Sequence, residues 1–245
     1  MTATDGTSFN VRLFETSSPR GRLLLCHGYY ADRYQVVGIA EGLRERGYEV
    51  ALFELRGHGE RSGPCTFGVW ETEDAIAVLE WWASRDPARK RAIGVLGLSM
   101  GAAVVCQAAA RVPAIQAVVT DSVYGRFFPV LSQAIRQQYH LPAVPFAWVT
   151  WWCLELILRR RLASLDPCAL APRLRQPLFA IQGGEDQRVS PQLALAFYER
   201  WAGPKERWFD PHVAHVAMFA HHPDVYCNRV AAFFDRALAR PAGVV

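Results

Sequence analysis

The residues best able to do chemistry in this sequence form the pentapeptide Gly97-Leu98-Ser99-Met100-Gly101. It lies between a short apolar run that predicts a buried strand, Ala92–Leu98, and a small-residue stretch that predicts a helix, Met100–Arg111. A serine in the G-x-S-x-G pattern at such a junction stands on a sharp turn above the end of a sheet. The two glycines allow the close packing that the turn requires. We therefore predict that Ser99 is a nucleophile; the alternative is an ordinary glycine-rich turn.

A serine nucleophile needs a base to take its proton, and the base needs an acid to orient it. The acid that we favour is Asp186, which follows the predicted strand Pro177–Gln182. Its neighbour Glu185 is an alternative, although a solvent-facing position is the ordinary expectation for it. Asp121, at the end of an earlier predicted strand, is a further alternative whose simpler role is a turn cap beside Ser122.

The base that we favour is His215, which follows the predicted strand Glu206–Phe209, and His212 three residues earlier is the alternative. The remaining histidines have simpler interpretations. His221 and His222 open the last predicted helix, where capping in solvent is expected. His140 lies in a region with no evident partner, and His27 is expected to hold its own loop by hydrogen bonding.

Short apolar runs alternate with helical patterns along the chain, as in a parallel sheet wrapped by helices. From Ser122 to Arg175 no strand pattern is evident, and aromatic residues are dense. We predict one mostly parallel α/β sheet flanked by helices, with a core formed by residues 1–121 and 176–245 and a helical insert over 122–175. The predicted strands are Phe9–Phe14, Arg22–Cys26, Tyr48–Phe53, Ala92–Leu98, Ile115–Thr120, Pro177–Gln182 and Glu206–Phe209.

Composition excludes several classes of protein. With 245 residues, 51% hydrophobic and 20% charged, the chain can bury a single large core and is not disordered. Its basic residues are almost all arginines, and they are scattered except for runs at Arg85–Arg91 and Arg159–Arg161. No nucleic-acid-binding face is therefore predicted.

The cysteines and the apolar segments predict a cytoplasmic protein. The six cysteines include no C-x-x-C pair, so neither a disulfide scaffold nor a zinc site is expected. The first residues, Met1 to Ser18, lack the apolar core of a signal peptide. The segment Val144–Leu158 is apolar, but its 15 residues would rise only about 22 Å as a helix, against a hydrocarbon core of about 30 Å. No membrane span is predicted.

Taken together, the motifs resemble those of α/β-hydrolase-fold serine hydrolases over nearly the whole chain. The resemblance rests on His27-Gly28, Arg56-Gly57-His58-Gly59, the Gly97–Gly101 turn, Gly184-Glu185-Asp186, and His215 ahead of a closing helix. The segment Asp121-Ser122-Val123-Tyr124 is similar to the bacterial branch with prolyl-oligopeptidase-like and acyltransferase-like sheets. Ala214 stands where the family usually has a glycine before the histidine.

The resemblance implies hydrolysis through an acyl-enzyme. Ser99 would attack a carbonyl carbon, His215 would take its proton, and Asp186 would hold the imidazole, in the family's chain order of serine, acid and histidine. The oxyanion would be stabilised by the backbone N–H groups of Met100, next to the nucleophile, and Tyr29, in the loop after an early strand.

In this family the insert falls where a cap covers the active site. Its aromatic residues would then line an acyl pocket, and we predict a hydrolase of carboxylic esters with small to medium acyl chains. Two alternatives are that the aromatics only attach the cap to the sheet, or that they form an exposed patch for membrane contact or dimerisation. The residues concerned are Phe127, Phe128, Phe146, Trp148, Trp151 and Trp152.

Other functions stay open at this stage. The insert arginines leave room for an anionic thioester such as acyl-CoA; they are Arg126, Arg136 and Arg159–Arg161. A small peptidase and a hydrolase-fold protein that binds without cutting are further alternatives. The sequence contains no phosphate loop, zinc helix motif or dinucleotide fingerprint, so no metal and no organic cofactor is predicted. The expected partner is a small-molecule ester or thioester, and the expected state is a monomer or homodimer.

Overall fold

The computed structural model describes residues 1–3, 6–85 and 93–239. Within this part of the chain the strands are β1 (Val11–Phe14), β2 (Arg22–Cys26), β3 (Glu49–Phe53), β4 (Ile93–Leu98), β5 (Ile115–Asp121), β6 (Leu178–Gly183) and β7 (Lys205–Asp210). They form one sheet in the order β1-β3-β2-β4-β5-β6-β7. Only β1 runs antiparallel to its neighbour.

The helices cover both faces of this sheet. On one face α2 and α3 pack through residues such as Val78, Trp82 and Val104, and on the other α1 and α9 pack through residues such as Leu43 and Phe234. The helices are α1 (Tyr34–Glu45), α2 (Val69–Ser84), α3 (Met100–Ala109), α4 (Phe127–Gln138), α5 (Ala143–Leu158), α6 (Pro167–Leu170), α7 (Pro191–Arg200), α8 (Met218–His221) and α9 (Pro223–Leu238). The predicted α/β architecture is confirmed.

The strand predictions hold to within about two residues at each end. Strands β2 and β4 are buried at every position, as expected for central parallel strands covered on both faces. The first strand begins at Val11 rather than Phe9, because only its last four residues pair with β3. Ala92 lies outside the described residues, as does the basic run 85–91 except for Arg85.

The parallel register brings the carboxyl ends of the central strands to one edge of the sheet. Cys26 pairs with Gly97, Leu98 pairs with Asp121, and Gly183 pairs with Asp210. The loops that follow these strands therefore meet at the same edge, where parallel α/β sheets bind their ligands.

The segment between β5 and β6 contains helices α4, α5 and α6 and two 3-10 turns, Leu162–Leu165 and Ala171–Arg173. No strand lies in it, as the sequence predicts. Helices α4 and α5 pack against each other above the carboxyl edge of the sheet. In the described part of the chain, no helix has the length and apolar character needed to cross a bilayer.

Candidate active site

The turn between β4 and α3 holds Ser99 in an unusual backbone conformation, with φ 53° and ψ −112°. Positive φ is uncommon for any residue with a side chain. A Cβ atom on Gly97 would lie 2.2 Å from the carbonyl oxygen of Gly101, and one on Gly101 would lie 2.3 Å from that of Cys26. Only glycine fits at either position, so the two glycines allow the strand and helix to approach closely enough to form the turn.

Three predicted site residues form a hydrogen-bonded row. The Oγ of Ser99 lies 3.0 Å from Nε2 of His215, and Nδ1 of His215 lies 2.7 Å from Oδ2 of Asp186. The carboxylate of Asp186 accepts from Nδ1–H, which leaves the lone pair of Nε2 facing the serine hydroxyl. The Asp186 side chain is fully buried, and that of His215 is 11% exposed. The row can therefore move a proton away from the serine oxygen.

Asp186 is held by donors on both carboxylate oxygens. Its Oδ1 accepts the backbone N–H groups of Arg188 and Val189 at 2.9 and 2.8 Å. Its Oδ2 accepts the side-chain amide of Gln182 at 3.0 Å in addition to the His215 bond. These donors replace the water that burial removes from the carboxylate and fix the direction in which Oδ2 faces.

The loops that carry Asp186 and His215 are in direct contact. The N–H of Glu185 donates to the carbonyl of Val213 at 3.0 Å. A Cβ atom on Gly183 would lie 2.2 Å from that same carbonyl oxygen, and one on Gly184 would lie 2.6 Å from the Cα of Pro211. Glycine at both positions is therefore what permits the two loops to approach within hydrogen-bonding distance.

The two residues predicted to supply the oxyanion donors, Met100 and Tyr29, line the same cavity as Ser99. Met100 is the first residue of α3, and the N–H groups at a helix start have no intrahelical carbonyl to bind. Tyr29 follows Gly28, where a Cβ atom would lie 3.4 Å from the Cβ of Ser99. The Gly28 N–H donates to Oε1 of Gln35 at 2.7 Å, which anchors this loop.

A cavity of about 580 Å³ opens beside Ser99 and His215, between the sheet edge and helices α4 and α5. Its walls are mainly apolar, and the polar residues among them include glutamines on α4, four tyrosines, Thr150 and one arginine, Arg188. Both Tyr29 and Met100 contribute to the lining.

Of the six aromatic residues predicted to line an acyl pocket, Phe127 and Phe146 line this cavity. The other four, Phe128, Trp148, Trp151 and Trp152, do not. The cavity-facing positions on α5 are Phe146, Thr150 and Leu154, which are spaced by four residues and so form one stripe of the helix. The three tryptophans of α5 lie off that stripe.

Those four aromatics pack elsewhere. Trp151 is buried against Phe127 and Phe128, with ring centroids 6.1 and 5.4 Å apart, and Trp148 stacks on Phe128 at 4.5 Å. Trp152 is 63% exposed. Part of the set therefore joins α4 to α5 within the insert, and part of it faces solvent.

The insert arginines Arg126, Arg136 and Arg159–Arg161 also lie outside the lining, in which Arg188 is the single cation. Within the described residues, no cluster of three or more histidine, cysteine or acidic side chains could hold a metal ion.

Residues 21–150 match the family model described as the α/β hydrolase fold, which is more than half of the chain. This chain belongs to the α/β-hydrolase fold family. The resemblance drawn from the sequence motifs is thereby confirmed.

Solved structures similar to this hydrolase include two esterases. The Pyrococcus furiosus esterase Pf2001 superposes with a TM-score of 0.80 and 25% identity, over 97% of this chain and 91% of that chain. Est1E from Butyrivibrio proteoclasticus, solved with ferulic acid bound, has a TM-score of 0.75 over 96% of this chain and 98% of its own. At 19% identity Est1E shows the fold alone.

Sequence relatives of the hydrolase extend over most of its length. The uncharacterized protein YqkD of Bacillus subtilis is 23% identical over 87% of this chain and 70% of its own length. An uncharacterized 31.7 kDa Escherichia coli protein from the traX-finO intergenic region is 27% identical over 96% of this chain and 93% of its own. Neither relative's name states an activity.

The alternative acid of the hydrolase, Asp121, does not hydrogen-bond to His215 but belongs to a network with Ser122, Tyr226 and Val216. It accepts hydrogen bonds from the hydroxyls of Ser122 at 2.9 Å and Tyr226 at 3.1 Å. The Ser122 Oγ in turn accepts the backbone N–H of Val216 at 3.0 Å, next to His215. Burial raises the pKa of Asp121 to about 6. The sequence places Asp121 beside Ser122 at a strand end, but nothing in it indicates the bonds to Tyr226 and Val216.

The other candidate residues lie away from the serine. The side chain of His212 is 87% exposed, 3.9 Å from Glu185, the alternative acid. His222 binds Asp210 at 2.9 Å. His140 is exposed at the end of the turn that follows α4.

His27 is buried and holds its own loop, as the sequence predicts. Its Nε2 accepts the N–H of Leu55 at 3.0 Å, and its Nδ1–H donates to the carbonyl of Gly28 at 2.8 Å. Desolvation lowers its pKa to about 4, so the ring is neutral at pH 7.

Proposed function

We propose that this chain is a serine carboxylesterase that cleaves esters of small to medium acyl chains through an acyl-enzyme. The observation that carries the proposal is the hydrogen-bonded row of Ser99, His215 and Asp186, with separations of 3.0 and 2.7 Å. The esterase Pf2001, which shares the fold over 97% of this chain, supports the ester bond as the target.

In the first half of the reaction, Nε2 of His215 takes the proton of the Ser99 hydroxyl while Oγ attacks the ester carbonyl carbon. The oxygen of the tetrahedral intermediate lies near the N–H groups of Met100 and Tyr29, which stabilise its negative charge. The imidazolium, paired with Asp186, then gives its proton to the departing alcohol, and the acyl group stays on Oγ.

In the second half, a water molecule takes the place of the alcohol. Nε2 of His215 removes one of its protons as the oxygen attacks the acyl carbon, and a second tetrahedral intermediate forms. Its collapse breaks the bond to Ser99, which regains its proton from the imidazolium. The products are a carboxylic acid and an alcohol, with no change in oxidation state.

The acyl chain is assigned to the cavity under α4 and α5. Its volume of about 580 Å³ lies within the usual range of about 300–1,000 Å³ for small-molecule sites. Leu131, Phe146 and Leu154 supply apolar walls. Residues 122–175 are accordingly proposed as a cap over the site, and residues 1–121 and 176–245 as the core.

The test is hydrolysis of p-nitrophenyl esters with acyl chains from two to sixteen carbons. We expect turnover that peaks at short or medium chains and is lost in the Ser99→Ala variant. Acyl-CoA esters of the same acyl chains form a parallel series, and faster Ser99-dependent turnover of these would assign a thioesterase instead. Absence of Ser99-dependent turnover in both series would overturn the proposal and favour a binding protein.

A further inference from the structure

Helix α5 presents an unpartnered apolar face to solvent, on the side away from the cavity stripe. Trp148, Trp152 and Leu156 are spaced by four residues and share one side of the helix with Val149. Ile157 follows Leu156 in the last turn of the helix and extends this exposed apolar surface. The exposed fractions of these residues run from 46% at Trp148 to 79% at Leu156. A contiguous surface of this kind on a soluble domain marks a place where another apolar body docks. We call these five residues the α5 apolar face.

Three arginines follow the last turn of α5 directly: Arg159, Arg160 and Arg161, all exposed. In the part of the chain that the structure describes, none of their guanidinium groups lies in an ion pair. Glu155 is the only acidic residue of α5, and its Oε1 accepts the backbone N–H of Leu162 at 2.8 Å. The pKa of Glu73 is lowered chiefly by its hydrogen bond with Arg111 and also by the charge of Arg160. Since Glu73 is already paired with Arg111, most of the positive charge beside the apolar face is not neutralised locally.

The charge of the whole chain is concentrated in the same segment. Residues 122–175 contain seven arginines and two acidic residues, a net charge of +5, whereas the complete chain has a net charge of +4. The remaining residues therefore sum to −1. The α5 apolar face belongs to a strongly basic insert on an almost neutral core.

We propose that the α5 apolar face docks on an anionic lipid bilayer, with α5 lying in the plane of the interface. Tryptophan rings favour the headgroup level, leucine and isoleucine enter the acyl boundary, and adjacent arginines bind anionic headgroups. A second copy of this chain fits less well, because pairing two such faces would bring two inserts of +5 together.

The α5 apolar face and one wall of the cavity belong to the same helix. Phe146, Thr150 and Leu154 line the cavity from another side of the same helix. Since a helix with side chains is about 10 Å across, docking would bring the cavity within about that distance of the lipid. If the proposed esterase reaction is correct, the substrate class becomes esters that dissolve in membranes. The docking itself does not depend on that reaction.

The test is cosedimentation of the full chain, as the Ser99→Ala variant, with vesicles. One set contains equimolar phosphatidylglycerol and phosphatidylcholine, and the other contains phosphatidylcholine alone. Because the Ser99→Ala variant lacks the proposed nucleophile, vesicle binding is measured independently of any esterase activity. We expect binding to the anionic vesicles that weakens strongly at about 1 M salt, where the Debye length is about 3 Å.

Two variants test the face itself. Replacing Arg159, Arg160 and Arg161 by glutamine is expected to weaken binding to anionic vesicles about a hundredfold, since each basic residue near such a surface contributes a factor of about five. The double variant Leu156→Ser/Ile157→Ser is expected to weaken it by about tenfold or more. Both changes lie outside the cavity lining, so activity on soluble esters should be unchanged.

A matched control removes three exposed arginines outside the insert, by Arg12→Gln, Arg44→Gln and Arg200→Gln. It alters the net charge equally and should bind vesicles within about threefold of the parent. Vesicle binding that is absent, or that both insert variants leave intact, would overturn the proposal. A lipid-free dimer that Leu156→Ser/Ile157→Ser dissociates would also overturn it and assign the face to a second copy.

Discussion

Replacing Asp186 by asparagine keeps the shape of the side chain but replaces one acceptor oxygen by an NH₂ donor, which can then face His215. The Oδ1 of Asp186 accepts two backbone N–H groups, from Arg188 and Val189, at 2.9 and 2.8 Å. An asparagine would therefore keep its carbonyl oxygen at that position, because the two backbone donors cannot be exchanged for acceptors, whereas the Gln182 amide and the His215 ring at Oδ2 can each turn an acceptor toward an NH₂ group. Its NH₂ group would take the place of Oδ2 and face Nδ1 of His215.

That arrangement reverses the histidine tautomer. An NH₂ donor at Oδ2 requires Nδ1 of His215 to accept, so the ring hydrogen moves to Nε2, 3.0 Å from Ser99 Oγ. A protonated Nε2 cannot take the serine proton. Loss of the tautomer control in a serine triad lowers kcat by about 10⁴, which corresponds to about 5 kcal/mol of transition-state stabilisation. We expect a decrease of about 10³ to 10⁴ for Asp186→Asn.

The assay is steady-state hydrolysis of p-nitrophenyl butyrate at pH 8. We expect kcat to fall while KM stays within about threefold, because Asp186 does not line the cavity. Circular dichroism and a thermal unfolding curve would establish that the variant folds.

The matched control is Asp121→Asn, the same chemical change at the other buried carboxylate of this sheet edge. Asp121 is hydrogen-bonded by Ser122 and Tyr226 rather than by His215, so its variant should keep kcat within about tenfold. The reasoning is refuted if Asp186→Asn retains more than a tenth of the activity. It is also refuted if Asp121→Asn loses activity as severely as we expect for position 186.

Three further predictions concern neighbouring residues. His212→Ala should leave kcat within about twofold, since the side chain of His212 is 87% exposed. His215→Ala should lower kcat by at least about 10³ in the same ester assay. The reverse outcome would assign the base to His212. The raised pKa of Asp121, about 6, means that the folded state binds the proton more tightly than the unfolded state, so this group's contribution to stability falls as pH rises from about 4 to about 6. Urea unfolding at pH 4.5 and 7.5 should therefore show the stability of Asp121→Asn rising by about 2 kcal/mol relative to the parent as pH rises. A relative gain on lowering the pH would contradict the raised pKa of Asp121 as the cause. Gly101→Ala places a Cβ atom 2.3 Å from the backbone carbonyl oxygen of Cys26. The free energy of unfolding should therefore fall by about 3 kcal/mol or more, and activity should fall with it. An unchanged Tm would show that the turn has room for a methyl group at this position.

The strand ends and the turn at Ser99 were predictable because their signals are local. A continuous apolar run followed by Gly97–Gly101 specifies both a buried strand and a sharp turn within a few residues. Asp186 and His215 each follow a strand of the same parallel sheet, so their approach to Ser99 follows from the topology. The choice between His215 and His212 required the structure, since both lie in one short loop.

The side of α5 that faces the cavity was not predictable in the same way. This helix is apolar around most of its circumference, so its sequence carries no period to show which stripe is inside. Phe146 lines the cavity, whereas Trp148, Trp151 and Trp152, which the sequence analysis groups with it, lie on other sides of the helix. The role of Ser122 was also missed, because its hydrogen bond to Val216 joins residues that are 94 positions apart in the chain.

The central claim is that Ser99 is a nucleophile activated by His215. The most direct measurement is labelling of the intact protein with a fluorophosphonate, followed by peptide mass spectrometry. We predict one phosphonylated residue, Ser99, and loss of labelling in His215→Ala with labelling retained in His212→Ala. An unlabelled wild-type protein, or a label on another residue, would contradict the account.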